Sequence, residues 1–536
     1  MATYGIDLGT TYSCVAVVDD TGEPVVITNS IGEESTPSVV YFESPYKVVV
    51  GHEAKNAALR SPELVVSRVK REMGRPGVEL DFHGTSYTPE MVSAFILRDL
   101  AKSVEDGRNA TVENVVITVP AYFGLVERNA TQVAGEMAGL KVLSVVPEPV
   151  AAALHYGMLN DADDRTILVF DLGGGTFDTT VIRLAGREVT VICTDGDHNL
   201  GGADWDDRVA GYLCEQFSAE HPDAAAGDSE DFLQDAAMAA EDLKKRLTTR
   251  LSRRQPMVFG GRRAAIELTR HTFENITADL LDRTMQITER TLATSRTHGA
   301  RQIDEVLLVG GSTRMPAVAQ ALRSRFGFEP KIHEPDLAVA KGAALFALVE
   351  TLRLNQLDGS STSLGESSPG GEASSTVARM AEKKVTIVVP RAFGVAVIDR
   401  QDESDDAPEP PGPDTRFVVQ HLLSANTPLP AERTERFFTA YPDQTEITVE
   451  IWEQEGAIAS AEPEHNKHIG SATIQRLPPR PAHSPVDVTF AMNESGRLHV
   501  VAQELESGGT GTVEITIGDV TPQQVASASD AIARLS

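Results

Sequence analysis

Cysteine is nearly missing from this chain: Cys14, Cys193 and Cys214 are the only three in 536 residues. They are far apart, odd in number and never arranged as Cys-X-X-Cys. No disulfide framework and no zinc site is therefore expected, and the three read as small buried hydrophobes. Positive charge is scarce as well, with 48 Lys and Arg against 78 Asp and Glu and a formal net charge of −30. A surface this negative repels phosphate backbones and anionic membranes, so neither nucleic acid nor a membrane surface is an expected partner. No uninterrupted run of about 18 apolar residues occurs, so no membrane span is predicted. Met1-Ala2-Thr3-Tyr4 enters a strand with no basic segment or apolar run before it, so no secretory signal is read there. A reducing cytoplasm is the expected setting. The P-loop is missing too, because no Gly-Lys precedes Ser or Thr. A Gly-X-Gly-X-X-Gly fingerprint also fails, since Gly173-Gly174-Gly175 runs on into Thr176-Phe177-Asp178.

What remains is ample for folded domains. Hydrophobic residues make up 41% of the chain, and the length implies two or three domains. Strand patterns at 13–19, 115–119, 166–171, 178–184, 188–194 and 305–309 alternate with helical patterns. The helices are expected at 90–105, 125–138, 149–157, 203–217, 232–251, 272–296, 315–325 and 337–352, which makes the first part an α/β domain. Residues 354–384 turn Ser/Gly-rich and read as a flexible linker. From 385 to 518 the period drops to two, as in Ile447, Val449, Ile451; Val486, Val488, Phe490; Leu498, Val500, Ala502; and Val513, Ile515, Ile517. That spacing predicts a β-sandwich of seven or eight strands, carrying an acidic, proline-rich loop over 402–414. The last stretch, 519–536, has room for one short helix or tail. His465 and His468 lie in a polar stretch and read as loop residues.

Two segments of the α/β domain resemble each other: Gly5-Ile6-Asp7-Leu8-Gly9-Thr10-Thr11 and Val169-Phe170-Asp171-Leu172-Gly173-Gly174-Gly175-Thr176. Each runs strand, Asp, glycine-rich turn, Thr, strand. Glycine lets backbone N–H groups approach phosphate oxygens, Thr hydroxyls add donors, and a strand-end Asp suits the water shell of Mg²⁺. Two such turns facing each other would clamp a triphosphate. A third glycine pair, Gly310-Gly311-Ser312-Thr313-Arg314, leads from a strand into a helix. It can approach a nucleoside, with the Arg314 plane available for adenine. On the helix pattern at 235–251, Glu241, Lys244, Lys245 and Thr248 share a polar face, while Ala240, Leu243, Leu247 and Leu251 form an apolar stripe.

Six ordered motifs carry a resemblance to the DnaK-type seventy-kilodalton heat-shock chaperones of the actin and hexokinase ATPase superfamily. They are Ile6-Asp7-Leu8-Gly9-Thr10-Thr11-Tyr12-Ser13-Cys14-Val15, Val119-Pro120-Ala121-Tyr122-Phe123, Pro147-Glu148-Pro149-Val150-Ala151-Ala152-Ala153, Phe170 to Asp178, Leu200-Gly201-Gly202-Ala203-Asp204, and Val309 to Arg314. The resemblance implies an actin-like nucleotide domain of two related lobes over 1–353, followed by the sandwich as substrate domain. It implies slow ATP hydrolysis with ATP/ADP and Mg, and exposed apolar peptide segments as clients. Co-chaperones, a nucleotide-exchange factor, protein folding and stress response come with it.

Residue by residue, the resemblance places Gly9, Thr10, Thr11 and Tyr12 against Gly173, Gly174, Gly175 and Thr176 around the phosphates. Asp7 and Asp171 would hold Mg through water. Lys70 is implied as the catalytic lysine, Asp178 as the water-orienting carboxylate, Glu148 as its supporting acid and Thr176 as a site of autophosphorylation. Gly201, Gly202, Glu241, Lys244, Lys245, Thr248, Gly310, Gly311, Ser312, Arg314 and Asp336 would surround the nucleotide. Pro120 and Arg128 match the pair that relays nucleotide state. In the sandwich, Val395, Phe437, Ala440, Ile447 and Val449 would line a peptide groove, or else are ordinary core.

The chain departs from the family pattern in its long Ser/Gly junction, where the nearest apolar run is Val385-Thr386-Ile387-Val388-Val389. Coupling of ATP to substrate is therefore not expected in the family's usual form; and with room for one short helix only after the sandwich, neither is the family's helical lid. The alternative is a nucleotide-gated scaffold that holds one dedicated partner. A sugar kinase or filament-forming relative has no need for the sandwich.

Overall fold

The lobes are built from two sheets of the same design, and this repeat positions everything else. A computed structural model describes residues 2–159, 164–357, 382–399, 415–456, 459–505, 508–514 and 522–535. In the first sheet the strands lie in the order Lys141–Pro147, Asn114–Val119, Thr3–Asp7, Tyr12–Val18, Pro24–Ile27. Thr3–Asp7 pairs antiparallel with its hairpin partner and parallel with Asn114–Val119. The second sheet repeats that order with Pro330–Ile332, Glu305–Val309, Arg165–Leu172, Phe177–Ala185 and Glu188–Asp197, again antiparallel on the hairpin side and parallel on the other. In each sheet the first hairpin turn carries one of the two Asp-Leu-Gly segments.

The lobes meet where two helices cross. Glu148–Leu159 and Ala338–Leu357 are rich in Ala and Gly at the crossing, so their backbones approach closely. A Cβ on Gly342 would overlap the carbonyl of Ala151, and one on Gly5 would overlap the backbone of Ala343 and Ala344. Ala151, Ala152, Ala153, Ala343 and Ala344 are all buried.

Most expected elements appear within a few residues of their predicted places. Two helices differ. The pattern at 272–296 is broken at Thr277 into Arg270–Ile276 and Ala278–Thr297. The pattern at 232–251 ends at Leu247, and the hairpin Ser252–Phe259 with Arg262–Thr269 follows it. Ala240, Leu243 and Leu247 are buried as the stripe requires, but Leu251 lies past the helix end and is 75% exposed. Periodicity alone ran one turn too far.

The C-terminal half holds two four-stranded antiparallel sheets face to face. One contains Phe417–Leu423, Phe393–Ile398, Ile447–Gln454 and Asn466–Ile474. The other contains Ala431–Phe438, Pro485–Met492, Leu498–Glu504 and Thr510–Glu514. The alternating residues Ile447, Val449, Ile451, Val486, Val488, Phe490, Leu498, Val500 and Ala502 all point into the shared core. The Ser/Gly stretch 358–381, the acidic loop 402–414, and Ile515 and Ile517 lie outside the described residues.

The junction is where the structure differs most from the sequence reading. The helix Ala338–Leu357, which packs on the first sheet and on Glu148–Leu159, runs on past 353 to Leu357. Lys384–Thr386 pairs in parallel with Glu188–Thr190 as a sixth strand of the second sheet. Ile387 and Val389 then exchange backbone hydrogen bonds with Asn426, Thr427 and Leu429 of the sandwich. The apolar run 385–389 is thus a docked thread, with Val388 and Val389 buried. At the far end, the helix Pro522–Leu535 packs against Pro89–Arg108 and Leu125–Met137 of the first lobe and buries Ala528 and Ile532 there. No helix among the described residues is long and apolar enough to cross a membrane.

His155 supplies a pH dependence. It is buried in the crossing helix, and its Nδ1 is hydrogen-bonded to Nε2 of His333 at 3.1 Å. Burial, reinforced by His333, pushes its pKa down from 6.5 to about 4. The unfolded chain therefore binds this proton first, and the contribution of His155 to stability falls as pH drops from about 6.5 toward 4. The buried acids titrate in the opposite sense, so the check is a comparison: going from pH 7.5 to 5.5, the urea midpoint of His155→Gln should fall less, or rise more, than that of the wild type.

Candidate functional site

Between the two lobes lies a cavity of about 560 Å³, and both Asp-Leu-Gly turns open onto it. Asp7, Gly9, Thr10, Thr11 and Tyr12 reach it from the first lobe. Asp171, Gly173, Gly174 and Thr176 reach it from the second. The turns touch: side chains added to Gly174 and Gly175 would overlap Thr11 and Thr10 respectively. Only glycine allows this approach.

The floor of the cavity is a cluster of buried charge. Lys70, 4% exposed, forms an ion pair with Glu148 Oε1 at 2.6 Å, and its ammonium lies 5.8 Å from the centre of the Phe123 ring. Asp7 Oδ1 accepts a hydrogen bond from Thr118 at 3.0 Å. Burial, and then the charge of Glu148, push the Asp7 carboxyl up to about 7, against the pull of Lys70. The same two causes, with Asp178 and Asp7 added, raise Asp171 well above the carboxylate range. Four acids share one lysine here, so charge is under-compensated. Asp171 Oδ2 is buried without a hydrogen-bond partner. A divalent cation with its water shell suits that oxygen and that charge balance.

The upper wall takes its residues from several elements. Gly310, Gly311, Ser312 and Arg314 come from the turn after Glu305–Val309, and Arg314 pairs with Asp336. Ser312 Oγ donates to the carbonyl of Gly173 at 2.9 Å, tying this turn to the second Asp-Leu-Gly turn. Lys244 donates to the carbonyl of Gly202 and to Asp206, both at 2.7 Å. At the mouth, Glu241 bridges the lobes. It meets Lys55 at 2.5 Å, Lys245 at 2.7 Å and the Tyr12 hydroxyl at 3.3 Å. Burial would raise its pKa, but these two lysines win and hold it at about 2.

Of the residues singled out from sequence, Lys70, Glu148, Asp171, Thr176, Asp7, Gly9, Thr10, Thr11, Tyr12, Gly173, Gly174, Glu241, Lys244, Lys245, Thr248, Gly310, Gly311, Ser312, Arg314 and Asp336 line this one cavity. Gly175, Gly201 and Gly202 stand behind it. Gly201 lies on the backbone of Gly174 and Gly175, and Gly202 against Ser312 and Lys244. Asp178 is not on the wall. It is fully buried, with Oδ1 accepting from the Tyr122 N–H at 2.9 Å, and burial followed by Glu148 pushes it up to about 7. Arg128 donates to the carbonyls of Phe123 and Ala121, so it braces the loop that Pro120 opens. Val395, Ile447 and Val449 are buried in the sandwich core, with Phe437 and Ala440 half-buried at its margin.

Sequence reasoning missed Lys55, His52, Glu33 and Asp206. His52 and Glu33 form a pair at 2.5 Å on the cavity rim. Asp206 sits four residues after Gly202 and faces Lys244, so the i, i+4 step from the Gly201-Gly202 motif was a signal for it. Lys55 carried no local signal, because its partner lies 186 residues away.

The model of the Hsp70 protein family matches residues 3–381 and 415–532 of this chain. Two curated relatives, both named Chaperone protein DnaK, come from Halobacterium salinarum strains R1 and NRC-1. Each is 35% identical over 522 residues, which span 96% of this chain and 75% of the relative.

The mouth predicts a release rate. Glu241→Ala removes a partly exposed ion pair that joins the lobes, worth about 1 kcal/mol. Dissociation of a fluorescent adenine nucleotide, followed by stopped flow, should quicken roughly fivefold with the same sign for di- and triphosphate.

Proposed function

The chain belongs to the Hsp70 family, and from that premise we propose that its ATP is bound and hydrolysed in the cavity between the two lobes. The protein is an ATP-dependent chaperone of the DnaK type and an ATPase, acting with ATP and ADP on peptide substrates alongside co-chaperones. The reading that goes further rests on one observation. Both Asp-Leu-Gly turns, the Lys70–Glu148 pair and the Gly310–Arg314 turn face a single space.

In this reading Gly9, Thr10, Thr11, Tyr12, Gly173, Gly174 and Thr176 hold the phosphate chain, with Gly175 and Gly201 keeping the second turn close. Arg314, Gly310, Gly311, Ser312, Glu241, Lys244, Lys245, Thr248 and Asp336 hold the nucleoside. Asp7 and Asp171 would hold Mg²⁺ through water, and the ion would offset charge on the β- and γ-phosphates. Lys70 is nearly buried and is fixed by Glu148. Its ammonium is placed to steady negative charge on the γ-phosphoryl and to orient the attacking water. Asp178, raised to about 7, is suited to hold or accept a proton near neutral pH. Thr176 is the hydroxyl open to autophosphorylation. Pro120 and Arg128 shape the loop through which the cavity communicates with the sandwich.

We divide the chain at 1–353, 354–384, 385–518 and 519–536, with the thread 385–389 shared between lobe and sandwich. Nucleotide state would bias whether that thread and the C-terminal helix stay docked. Extended apolar peptide would enter among Val395, Phe437, Ala440, Ile447 and Val449, gaining main-chain hydrogen bonds and side-chain pockets. An exchange factor and a cytoplasmic setting belong to the same proposal.

Lys70→Ala should keep nucleotide affinity within a few-fold and cut single-turnover hydrolysis by about 100-fold or more. Retained hydrolysis would remove Lys70 from the mechanism. Release of a labelled apolar heptapeptide from the full chain should be faster with ATP than with ADP, and equal rates would mean that cavity and sandwich are uncoupled.

A further inference from the structure

Each carbonyl of the turn Gly173-Gly174-Gly175 is held from behind. Gly173 O accepts from the Gly202 N–H and from Ser312 Oγ, both at 2.9 Å. Gly174 O accepts from the Ala203 N–H at 2.8 Å. Those donors belong to the second lobe, like the turn itself. Gly175 O differs: it accepts from Nε of Arg71 at 2.9 Å, and Arg71 comes from the first lobe. The two terminal nitrogens of the same guanidinium reach Asp204, Nη1 on Oδ1 at 3.2 Å and Nη2 on Oδ2 at 2.5 Å. Asp204 stands in the first turn of the helix Gly202–Glu220, and its Oδ2 also accepts from the Gly201 N–H at 2.7 Å. Arg71 is the neighbour of Lys70 in a single short helical turn, Val69–Glu72.

We propose that Arg71 is a positioning residue for ATP hydrolysis, which crosses from the first lobe, fixes the Gly175–Thr176 peptide of the second and so turns the Thr176 N–H toward the γ-phosphoryl that Lys70 faces. Asp204 is the socket that holds its guanidinium. The inference rests on the roles given above to Lys70 and to the phosphate-holding turns.

A peptide unit is planar. A trans bond that sends the Gly175 carbonyl to Arg71 therefore sends the Thr176 N–H the opposite way. Thr176 lines the cavity and Arg71 does not. Glycine at 175 has no side chain to set that peptide plane, so the plane needs an outside hold. Arg71 has the right chemistry to supply one. Its guanidinium is a rigid plane with donors in fixed directions, so locking one end on a carboxylate aims the Nε–H at the carbonyl. The side chains of Arg71 and Asp204 are 13% and 23% exposed, which limits screening of the fork by solvent. A second bridge gives the contrast. Arg68, on the other side of Lys70, forks onto Asp207 at 2.9 and 3.0 Å. It also joins the lobes, but Asp207 is 55% exposed, and the Arg68 fork ends on that carboxylate without reaching the glycine turn. Adhesion between lobes needs only a contact of the Arg68 kind. Arg71 adds a direct tie between the turn that carries Lys70 and the turn that carries Thr176, so closure of the lobes sets the lysine and the N–H in one step.

The test uses the full chain, with single-turnover ATP hydrolysis and equilibrium binding of fluorescent ADP, which lacks the γ-phosphoryl. Arg71→Met should slow hydrolysis about tenfold while ADP affinity stays within about twofold. Arg71→Lys keeps the charge but cannot serve both partners from one ammonium, so it should recover the rate only in part. Asp204→Asn should lower the rate as well. The double variant Arg71→Met with Asp204→Asn should be no slower than Arg71→Met alone, because the two residues act as one unit. Arg68→Met breaks only the second bridge and should leave the rate within about twofold. Lys70→Ala is run beside them. If Lys70→Ala loses hydrolysis while Arg71→Met keeps the wild-type rate, the inference is overturned and the ATPase reading stands. If Lys70→Ala hydrolyses like the wild type, the role given to Lys70 fails and the inference fails with it. Equal losses of rate in Arg68→Met and Arg71→Met, or a loss of ADP affinity that matches the loss of rate, also overturn it, since both mark a general loosening of the cleft. Should Arg71→Met fail to fold, Arg71→Lys read against Arg68→Lys carries the same comparison.

Discussion

Backbone pressed on backbone at the helix crossing sets the geometry of the whole molecule. Gly342 lies on the carbonyl of Ala151, and Gly5 lies on Ala343 and Ala344. Only small side chains lie there, with Ala151, Ala152, Ala153, Ala343 and Ala344 buried around the crossing. The two sheets pack on these helices, and the two Asp-Leu-Gly turns stand at the ends of the sheets. Glycine at the crossing and glycine at positions 174 and 175 are thus parts of one requirement. The first brings the lobes together, and the second lets their tips meet without collision.

The buried charges follow from that closeness. Asp7, Asp171, Asp178 and Glu148 surround Lys70 at the floor of the cavity. Packed hydrophobic residues would be cheaper in free energy. The excess acid would be offset by an occupant that brings positive charge and solvent with it, as in the Mg²⁺ role proposed above. Around Arg391, at the seat of the sandwich, Arg391 Nε, Glu453 Oε2 and Glu127 Oε2 are likewise buried without hydrogen-bond partners.

Much of this was written in local sequence. Period-two runs such as Val486, Val488 and Phe490 placed sandwich strands correctly, because one face of each strand is buried and the other is wet. The paired Asp-Leu-Gly turns announced two related lobes, and the structure repeats their sheet order. What could not be read locally depends on partners far away in the chain. Leu251 kept the helical rhythm after the helix had ended. Lys55 is defined by Glu241, and Arg391 by Tyr122, neither of which is near it in sequence. Asp178 was assigned from its motif; it is buried behind the residues that line the cavity, with Oδ1 accepting from the Tyr122 N–H. The thread 385–389 looked like a scrap of strand beside a Ser/Gly tract, since its pairing partner begins at Glu188.

That thread covers the outer edge of the second sheet. While Lys384–Thr386 is in place, the main-chain groups of Glu188, Val189 and Thr190 have a neighbour. Once it lifts away, the sheet acquires an open border, and open borders recruit whatever extended backbone is nearby. The charged side chains of Arg187 and Glu188 at that margin then act as the guard against unwanted pairing. Detachment is therefore never silent for this lobe: it trades a private strand for a vacancy that any passing polypeptide can contest.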